Sequence, residues 1–572
     1  MNIPRLQSLL AVARGDRPAD LLLINGRVVN TLSYEIEERS VAVFDGLIAG
    51  IGDYEAREII DLEGLFLAPS LIDGHIHIES SLLSPSEFTR AVVPRGTGAV
   101  VCDPHEIANV CGEAGIRYML DATDSVPLDV FVMLPSCVPA THMETSGADL
   151  DAERLRPFLS HPRVLGLAEV MNFPGVVFGA EAVLRKIALA DGRPVDGHAP
   201  AVSGKWLNAY AAAGIGTDHE STTFAEAQEK LRRGIAVFIR EGSTARNLEA
   251  LLPLVTPANA HRFAFVSDDR HADDLVSEGH MNATLAKAVA QGLDPVLALA
   301  MATSHTAAIF GLKAIGAITP GRRANLAAFE DLVSFRAAKV WRDGKLIASN
   351  GALLADVPVA DASAVLGTVR LPSLSGADLA VPSQEGQTNI IDIIPDQIVT
   401  GRSAALLPVR NGQWQADVGQ DIAKLVVIER HRRTGNIGKG FVRGLGLKHG
   451  ALASTVAHDS HNLICAGMSD ADMLCAAQVL GEQGGGWVVV AGEKVLAHLP
   501  LPLAGLMSDQ SAPDVVQAVE NLHRAARELG CSLSAPFMAL SFLALPVIPH
   551  LKLTDLGLID VDAFAPIDLA VS

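Results

Sequence analysis

Leu71-Ile72-Asp73-Gly74-His75-Ile76-His77 closes an apolar run that begins at Gly64-Leu65-Phe66-Leu67-Ala68-Pro69, which reads as a strand running into the motif. In an extended strand, residues i and i+2 share a face, so His75 and His77 project their imidazoles side by side. Two neutral imidazoles at that spacing can share one divalent ion. A bare His-x-His is more often a pair of ordinary histidines at a strand end. Here the pair ends an apolar strand, follows Asp-Gly, and is answered downstream by further ligand-type residues at later strand ends. That context points to metal.

Downstream, short apolar runs alternate with helical stretches, the pattern of repeated β-α units. Candidate strands end near His75, Asp103 (GAVVCD), Pro135 (DVFVMLP), Val170 (VLGLAEV), His198 (PVDGH), His219 (GIGTDH), Arg240 (GIAVFIR) and Asp268 (RFAFVSD). Eight such strands are what a closed (β/α)8 TIM-type barrel requires, and its reactive groups sit at the C-terminal strand ends. His75 and His77 end the first strand and Glu169 the fourth. His198 ends the fifth, His219 the sixth and Asp268 the eighth. A lone histidine such as His198 or His219 is more often a hydrogen-bonded core or surface residue. A carboxylate inside an apolar run, such as Glu169 or Asp268, needs a charged partner or a metal. Four histidines and two carboxylates converging on one barrel mouth would supply two divalent ions. A bridging glutamate would lower the repulsion between them, and the ions would bring the pKa of water toward neutrality. Asp268 would accept and shuttle the proton.

Around the barrel, Ala19 to Asn30 and Ser40 to Ile51 are strand-like runs punctuated by Asn-Gly and Asp-Gly, and Asn325 to Leu346 repeats the pattern with a turn at Asp343-Gly344. We read residues 1–65 and 320–350 as one small β domain built from both flanks of a 66–319 barrel, with a short amphipathic helix within 1–18. Residues 351–419 read as a linker region, partly β, and 420–572 as a C-terminal α+β domain. Within the latter, KLVVIE (424–429) and GWVVV (486–490) read as strands. Ser511 to Leu529 reads as a helix capped by Ser511 with Pro513 in its first turn. Asp294 to Gly311 reads as one helix, with His305 packed in it. The run Gly481-Glu482-Gln483-Gly484-Gly485-Gly486 lacks the Lys-Ser/Thr and helix start of a phosphate loop and reads as a flexible turn. His271 and His280 lie near enough in sequence to the mouth to admit a further metal contact. His458-Asp459-Ser460-His461-Asn462 is too polar for a plain strand end. It reads either as a loop reaching the barrel mouth or as a turn with satisfied side chains.

Composition narrows the classes. Hydrophobic residues make up 49% and charged residues 19% of 572, which argues for a well-packed globular protein of two or three domains. The formal charge of −20, from 45 basic and 65 acidic residues, gives no basic stripe and argues against a nucleic-acid partner. No uncharged run of about 18 apolar residues is present, so no membrane partner is expected. The N-terminal residues lack the apolar core of a signal peptide. The six cysteines are scattered without a Cys-x-x-Cys pair, as in a reduced cytoplasmic protein.

Gly74-His75-Ile76-His77, the later histidines and Asp268 resemble the amidohydrolase superfamily, whose members use a metal-bearing (β/α)8 barrel. Three further strings are similar to the adenine deaminase family within it: His77-Ile78-Glu79-Ser80-Ser81, Asp103-Pro104-His105-Glu106-Ile107-Ala108-Asn109 and Glu169-Val170-Met171-Asn172-Phe173-Pro174-Gly175. The similarity runs over nearly the whole chain, the His458 to Asn462 string included. It implies hydrolytic deamination of adenine to hypoxanthine and ammonia at two divalent ions, manganese or iron expected and zinc admissible. It further implies that His75 and His77 bind one ion and His198 and His219 the other. Glu169 would bridge them, and Asp268 would complete the shell of the first ion and move protons. Hydroxide attack at C6 also requires a proton at ring nitrogen N1, for which Glu79, His105 and Glu106 are the candidates. For Glu79-Ser80-Ser81 the alternative is a helix N-terminus; for His105-Glu106 it is a pair that orients the metal ligands. A homo-oligomer, a dimer, is expected. Other readings of the same residues are hydrolysis of a cyclic amide or an N-acetylated sugar, and a non-catalytic scaffold of the same fold.

Overall fold

The computed structural model describes residues 2–395 and 397–571. Its centre is a ring of eight parallel strands, β1 (Leu71–Ile76), β2 (Thr97–Cys102), β3 (Asp129–Leu134), β4 (Val164–Val170), β5 (Val195–Gly197), β6 (Thr217–Asp218), β7 (Ala236–Arg240) and β8 (Phe263–Val266). β1 to β5 pair in order, as do β6 to β8. The ring closes from β8 to β1 through the Ile76–Asp268 bridge, where the Asp268 amide donates to the His75 carbonyl at 3.0 Å. At the opposite seam, β5 and β6 are held by the Gly216 amide donating to the Val195 carbonyl at 3.0 Å. Every residue of β1, β2 and β7 is buried, as expected of strands covered on both faces. This architecture is the α/β barrel read from the sequence.

Local chemistry fixes how the strands end. Asp268 has φ +55, in the left-handed region that aspartate tolerates better than most residues, and so turns the chain sharply after β8. Gly166 in β4 passes so close to the Pro194 carbonyl that a Cβ would sit 1.9 Å from its oxygen. Only a glycine lets β4 and β5 pair there.

Two sheets flank the barrel, and the larger carries strands from both sides of it in sequence. A seven-stranded sheet runs Ala352–Leu353, Lys345–Ser349, Ala337–Arg342, Leu326–Phe329, Phe66–Pro69, Arg27–Asn30, Glu35–Glu38. Phe66–Pro69 therefore belongs to this sheet and not to the barrel: Ser70 separates it from β1, and its register pairs it with Leu326–Phe329. A four-stranded sheet, Leu47–Ile51, Val41–Phe44, Ala19–Ile24, Ala56–Asp61, packs on it through Leu21, Leu23, Val43 and Trp341. Both central residues of the Asp45-Gly46 and Asp343-Gly344 turns have positive φ, the geometry that matches strand twist in two-residue hairpins. The N-terminal helix spans Ile3–Ala13; Met1 lies outside the described residues.

The C-terminal part is built on an eight-stranded sheet. Its order is Thr400–Ala405, Thr388–Ile393, Ile437–Arg443, Ile422–Ile428, Leu463–Gly467, Ala451–Ser454, Gly486–Ala491, Lys494–Pro500. Two of these strands come from before residue 420. The helix Ala512–Glu528 starts where Ser511 accepts from the Asp514 amide. The run at 481–486 is not one flexible turn: its first three residues end helix Asp470–Gln483, Gly484 in the left-handed region stops it, and Gly486 begins the next strand. The expected helix from 294 to 311 is two, Pro295–Met301 and Ser304–Ile309. The Thr303 and Thr306 hydroxyls donate back to the Leu299 and Met301 carbonyls, competing with the helical ladder at the break. Among the described residues, no helix is long and apolar enough to cross a membrane.

Beneath the mouth, Lys230 is fully buried and pairs with Asp218 of β6 at 2.6 Å, while also donating to the Ala199 carbonyl after β5. It thus locks the two shortest strands together. Lys230→Met should cost about 3 kcal/mol, because Asp218 is left as a buried charge without its cation; urea unfolding midpoints of variant and wild type check this.

Candidate active site

Seven strand ends deliver polar side chains into one buried cluster. β1 carries Asp73 and His75, with His77 one residue beyond the strand; Asp103 and His105 follow β2, and Glu169 lies near the end of β4. His198 follows β5, His219 and Glu220 follow β6, Arg240 ends β7, and Asp268 and Asp269 follow β8. All are less than a tenth exposed.

Glu169 is the hub. Its Oε1 lies 3.3 Å from His77 Nε2 and 3.1 Å from His105 Nδ1; its Oε2 lies 2.8 Å from His198 Nδ1 and 3.1 Å from His219 Nε2. Burial alone would raise this carboxyl, but His105, His198, His219 and His77 together hold it well below the usual carboxylate range. His75 Nε2 and His77 Nε2 are 3.2 Å apart, and Asp268 Oδ1 lies 3.8 Å and 3.1 Å from them. The six residues read as ligands therefore meet at one place.

The donor set fits divalent metal. His77 Nδ1 donates to the Asp103 carbonyl at 2.9 Å, which fixes the tautomer and leaves the Nε2 lone pair facing Asp268 and Glu169. Burial and the neighbouring His219 hold the His75 imidazole well below its ordinary range, in the neutral form a metal requires. His198 Nε2 and His219 Nε2 are buried with no hydrogen-bond partner among the described residues. Overlapping trios have their ligand atoms within 4.8 Å of one another, among them His75, His77 and Asp268; His75, Glu169 and His219; and His198, His219 and Glu220. Buried polar atoms in this number are costly unless a cation satisfies them.

Arg240 is the cluster's own cation. Its Nη1 contacts Glu220 and lies 2.6 Å from Asp268 Oδ2, and its Nη2 lies 3.1 Å from Asp269. Burial would raise the Asp268 carboxyl, but Arg240, His77 and His219 hold it well below the usual range. Sequence reasoning took Arg240 only as a strand boundary and did not single out Glu220 or Asp269. The signal was present, since all three follow the same strand-end rule.

Of the three N1 candidates, His105 lines the cavity at the barrel mouth, together with His77, Glu169, His198, His219 and Asp268. Asp103 Oδ2 lies 3.0 Å from its Nδ1 and Asp459 Oδ1 3.7 Å from its Nε2. Glu79 and Glu106 are buried but do not line that cavity. Glu79 accepts from the Ile107 amide, and Glu106 lies 2.5 Å from Ser80 Oγ, which is also 2.6 Å from Asp269. Burial and the Glu79 charge push Glu106 up to about 8. Glu79 and its serines form a single 3-10 turn, Glu79–Ser81.

The C-terminal loop reaches the mouth: His458 and Asp459 line the cavity. His461 stays behind them, its ring 5.4 Å from that of His458. His280 sits below the cluster, 2.9 Å from Asp73 Oδ2 and from Thr97 Oγ1, and His271 packs against Trp487. Neither belongs to the cluster. His305 is bonded to Tyr34 and packs in its helix.

Comparison with known proteins agrees with the geometry. The amidohydrolase family model matches residues 66–347, and the adenine deaminase C-terminal domain model matches residues 397–565. The chain is 50% identical over 568 residues to adenine deaminase 2 of Carboxydothermus hydrogenoformans, covering 99% of this chain and 100% of that protein. It is 49% identical over 560 residues to an adenine deaminase of Dehalococcoides mccartyi, covering 98% of each. A solved adenine deaminase structure aligns with 57% of this chain and 99% of its own, at 16% identity and a TM-score of 0.45.

Arg240→Met would leave Asp268, Asp269 and Glu220 facing one another without a cation. We expect a loss of about 3 kcal/mol in chelator, partly recovered with added Mn2+, because a divalent ion replaces the missing charge. Thermal unfolding of wild type and variant, each with and without the ion, measures the difference.

Proposed function

The chain belongs to the adenine deaminase family of amidohydrolases, and we propose from its own geometry how it hydrolyses adenine to hypoxanthine and ammonia with divalent metal. The observation that carries the assignment of roles is the convergence of four imidazoles and the Asp268 carboxylate around Glu169. His75, His77 and Asp268 would hold one ion, His198 and His219 a second, and Glu169 both. Manganese or iron suits this imidazole and carboxylate set, and zinc is admissible. Bound there, the ions supply Lewis acidity that ionises a water near neutral pH.

Asp268 takes the proton as the water oxygen adds to C6 of the purine. Its charge, secured by Arg240, suits it to accept that proton and then release it to the departing 6-amino group, which leaves as ammonia. His105 protonates N1 and regains a proton from the C6 hydroxyl as the C6–N bond breaks and the 6-oxo product forms. Asp103 holds its Nδ1 side, and Burial, which lowers its pKa, is overridden by Asp103 and Asp459, which keep the imidazole charged well above its ordinary range. Glu79 and Glu106 act from behind, fixing the turn that carries Ser80 and the start of the helix that carries His105. Family membership favours this chemistry over opening of a cyclic amide or removal of an N-acetyl group.

The same reading places the protein in the cytoplasm, supported by six unpaired cysteines. It takes adenine as a small-molecule partner and assembles as a homodimer. The exposed Phe178 and Trp206 rings, 5.7 Å apart, support assembly.

Ammonia release from adenine by the manganese-loaded protein tests the activity; hypoxanthine must appear in equal amount. Asp268→Asn should lower kcat by about 10²- to 10⁴-fold while retaining part of the metal. His75→Ala and His219→Ala should lose metal and turnover together, and metal analysis showing full occupancy with normal turnover would remove either residue from its role.

A further inference from the structure

The cavity that the cluster lines is closed in part by residues from outside the barrel. Besides His458 and Asp459, the C-terminal part contributes Ile398, Phe542, Leu545 and Ile548, the last three less than a tenth exposed. Phe542 lies flat on the His458 ring, centroids 4.7 Å apart at 16°. Leu545 and Ile548 pack with it and Met538 into one apolar cluster. The Phe542 carbonyl is itself tied down: Lys552 Nζ, fully buried, donates to it at 2.9 Å. These three side chains therefore form a packed, apolar part of the wall. Asp459 faces His105.

We propose that Phe542, Leu545 and Ile548 are specificity-determining residues that confine the reaction to the free base. The inference rests on the adenine-hydrolysing reading of the cluster. When C6 of a purine faces Asp268 and Glu169, the imidazole ring with its N9 lies toward the far side of the base, where these three side chains stand. A hydrogen at N9 fits against them. A ribose there would meet the three side chains sterically, and its hydroxyls would be stripped of water with no partner. The wall thus selects by exclusion, against the nucleoside, while the cluster supplies the chemistry.

Wild-type protein loaded with manganese is assayed on adenine, 9-methyladenine and adenosine. The expected result is kcat/KM for adenosine at least about 100-fold below that for adenine, with 9-methyladenine also impaired. The Leu545→Ala/Ile548→Ala double variant, checked for full metal content, should raise the adenosine-to-adenine ratio of kcat/KM by about tenfold or more. Should that variant fail to fold, Ile548→Val takes its place, with a rise in the 9-methyladenine-to-adenine ratio expected. Wild-type turnover of 9-methyladenine and adenosine within tenfold of adenine overturns the proposal, as does an unchanged ratio in a metal-replete variant. Absence of turnover on adenine itself would instead remove the underlying reading.

Discussion

A carboxylate buried among four imidazoles is the constraint on which this architecture depends. Glu169 lies on a strand with no access to water, so its charge must be met inside the protein. The sequence meets it from four other strands, and no two of the four imidazoles come from the same strand end. A parallel barrel is suited to this because all its strands point their C-terminal ends at one place. What a carboxylate and imidazoles cannot do alone is satisfy every lone pair and proton, and the unpartnered Nε2 atoms of His198 and His219 show the remaining need. Divalent cations answer that need, and the same charge that satisfies the ligands makes water acidic.

The second layer follows from the first. Three of the residues proposed as ligands are backed by a second group: the Asp103 carbonyl behind His77, the Asp218–Lys230 pair next to His219, Arg240 behind Asp268. Below them, Asp73 takes His280 and the Ser267 hydroxyl, tying β1 to the end of β8 at the seam where the ring closes. Charges alternate in sign outward from the centre, so no buried carboxylate of this inner set stands without a cation or donor beside it.

How much of this was legible in the sequence depended on whether the signal was local. His75 and His77 declare themselves through the two-residue period of a strand, and Glu169 and Asp268 through carboxylates ending apolar runs. The barrel followed from counting those runs. Arg240 obeyed the same rule, yet an arginine at a strand end has so many uses that only its contacts with Asp268, Glu220 and Asp269 give it a role. Phe66–Pro69 looked like the start of β1 because the apolar run continues across Ser70; pairing with Leu326–Phe329, far along the chain, assigns it elsewhere. The break at Thr303 depended on hydroxyl back-bonding that apolar periodicity does not register. Asp459 advertised its polarity but not its partner, since His105 lies in another domain. Phe542, Leu545 and Ile548 had no signal at all: an apolar residue facing a cavity reads the same as one facing a core.

The C-terminal part completes the electrostatics as well as the shape. A barrel mouth left open would bathe the cluster in water, weakening every contact within it. The loop 458–462 instead carries Asp459 to His105, and the loop is held by groups that have nothing to do with catalysis. Arg430, fully buried, donates to the carbonyls of His461 and Ala504, His431 donates to the Ser460 carbonyl, and Asn462 donates across to the Thr145 carbonyl of the barrel. The last of these bonds joins the two parts directly. Docking the C-terminal sheet therefore sets the position of Asp459 and of the apolar wall in one step. The low dielectric that makes the buried charges expensive is created by the same surface that makes them effective.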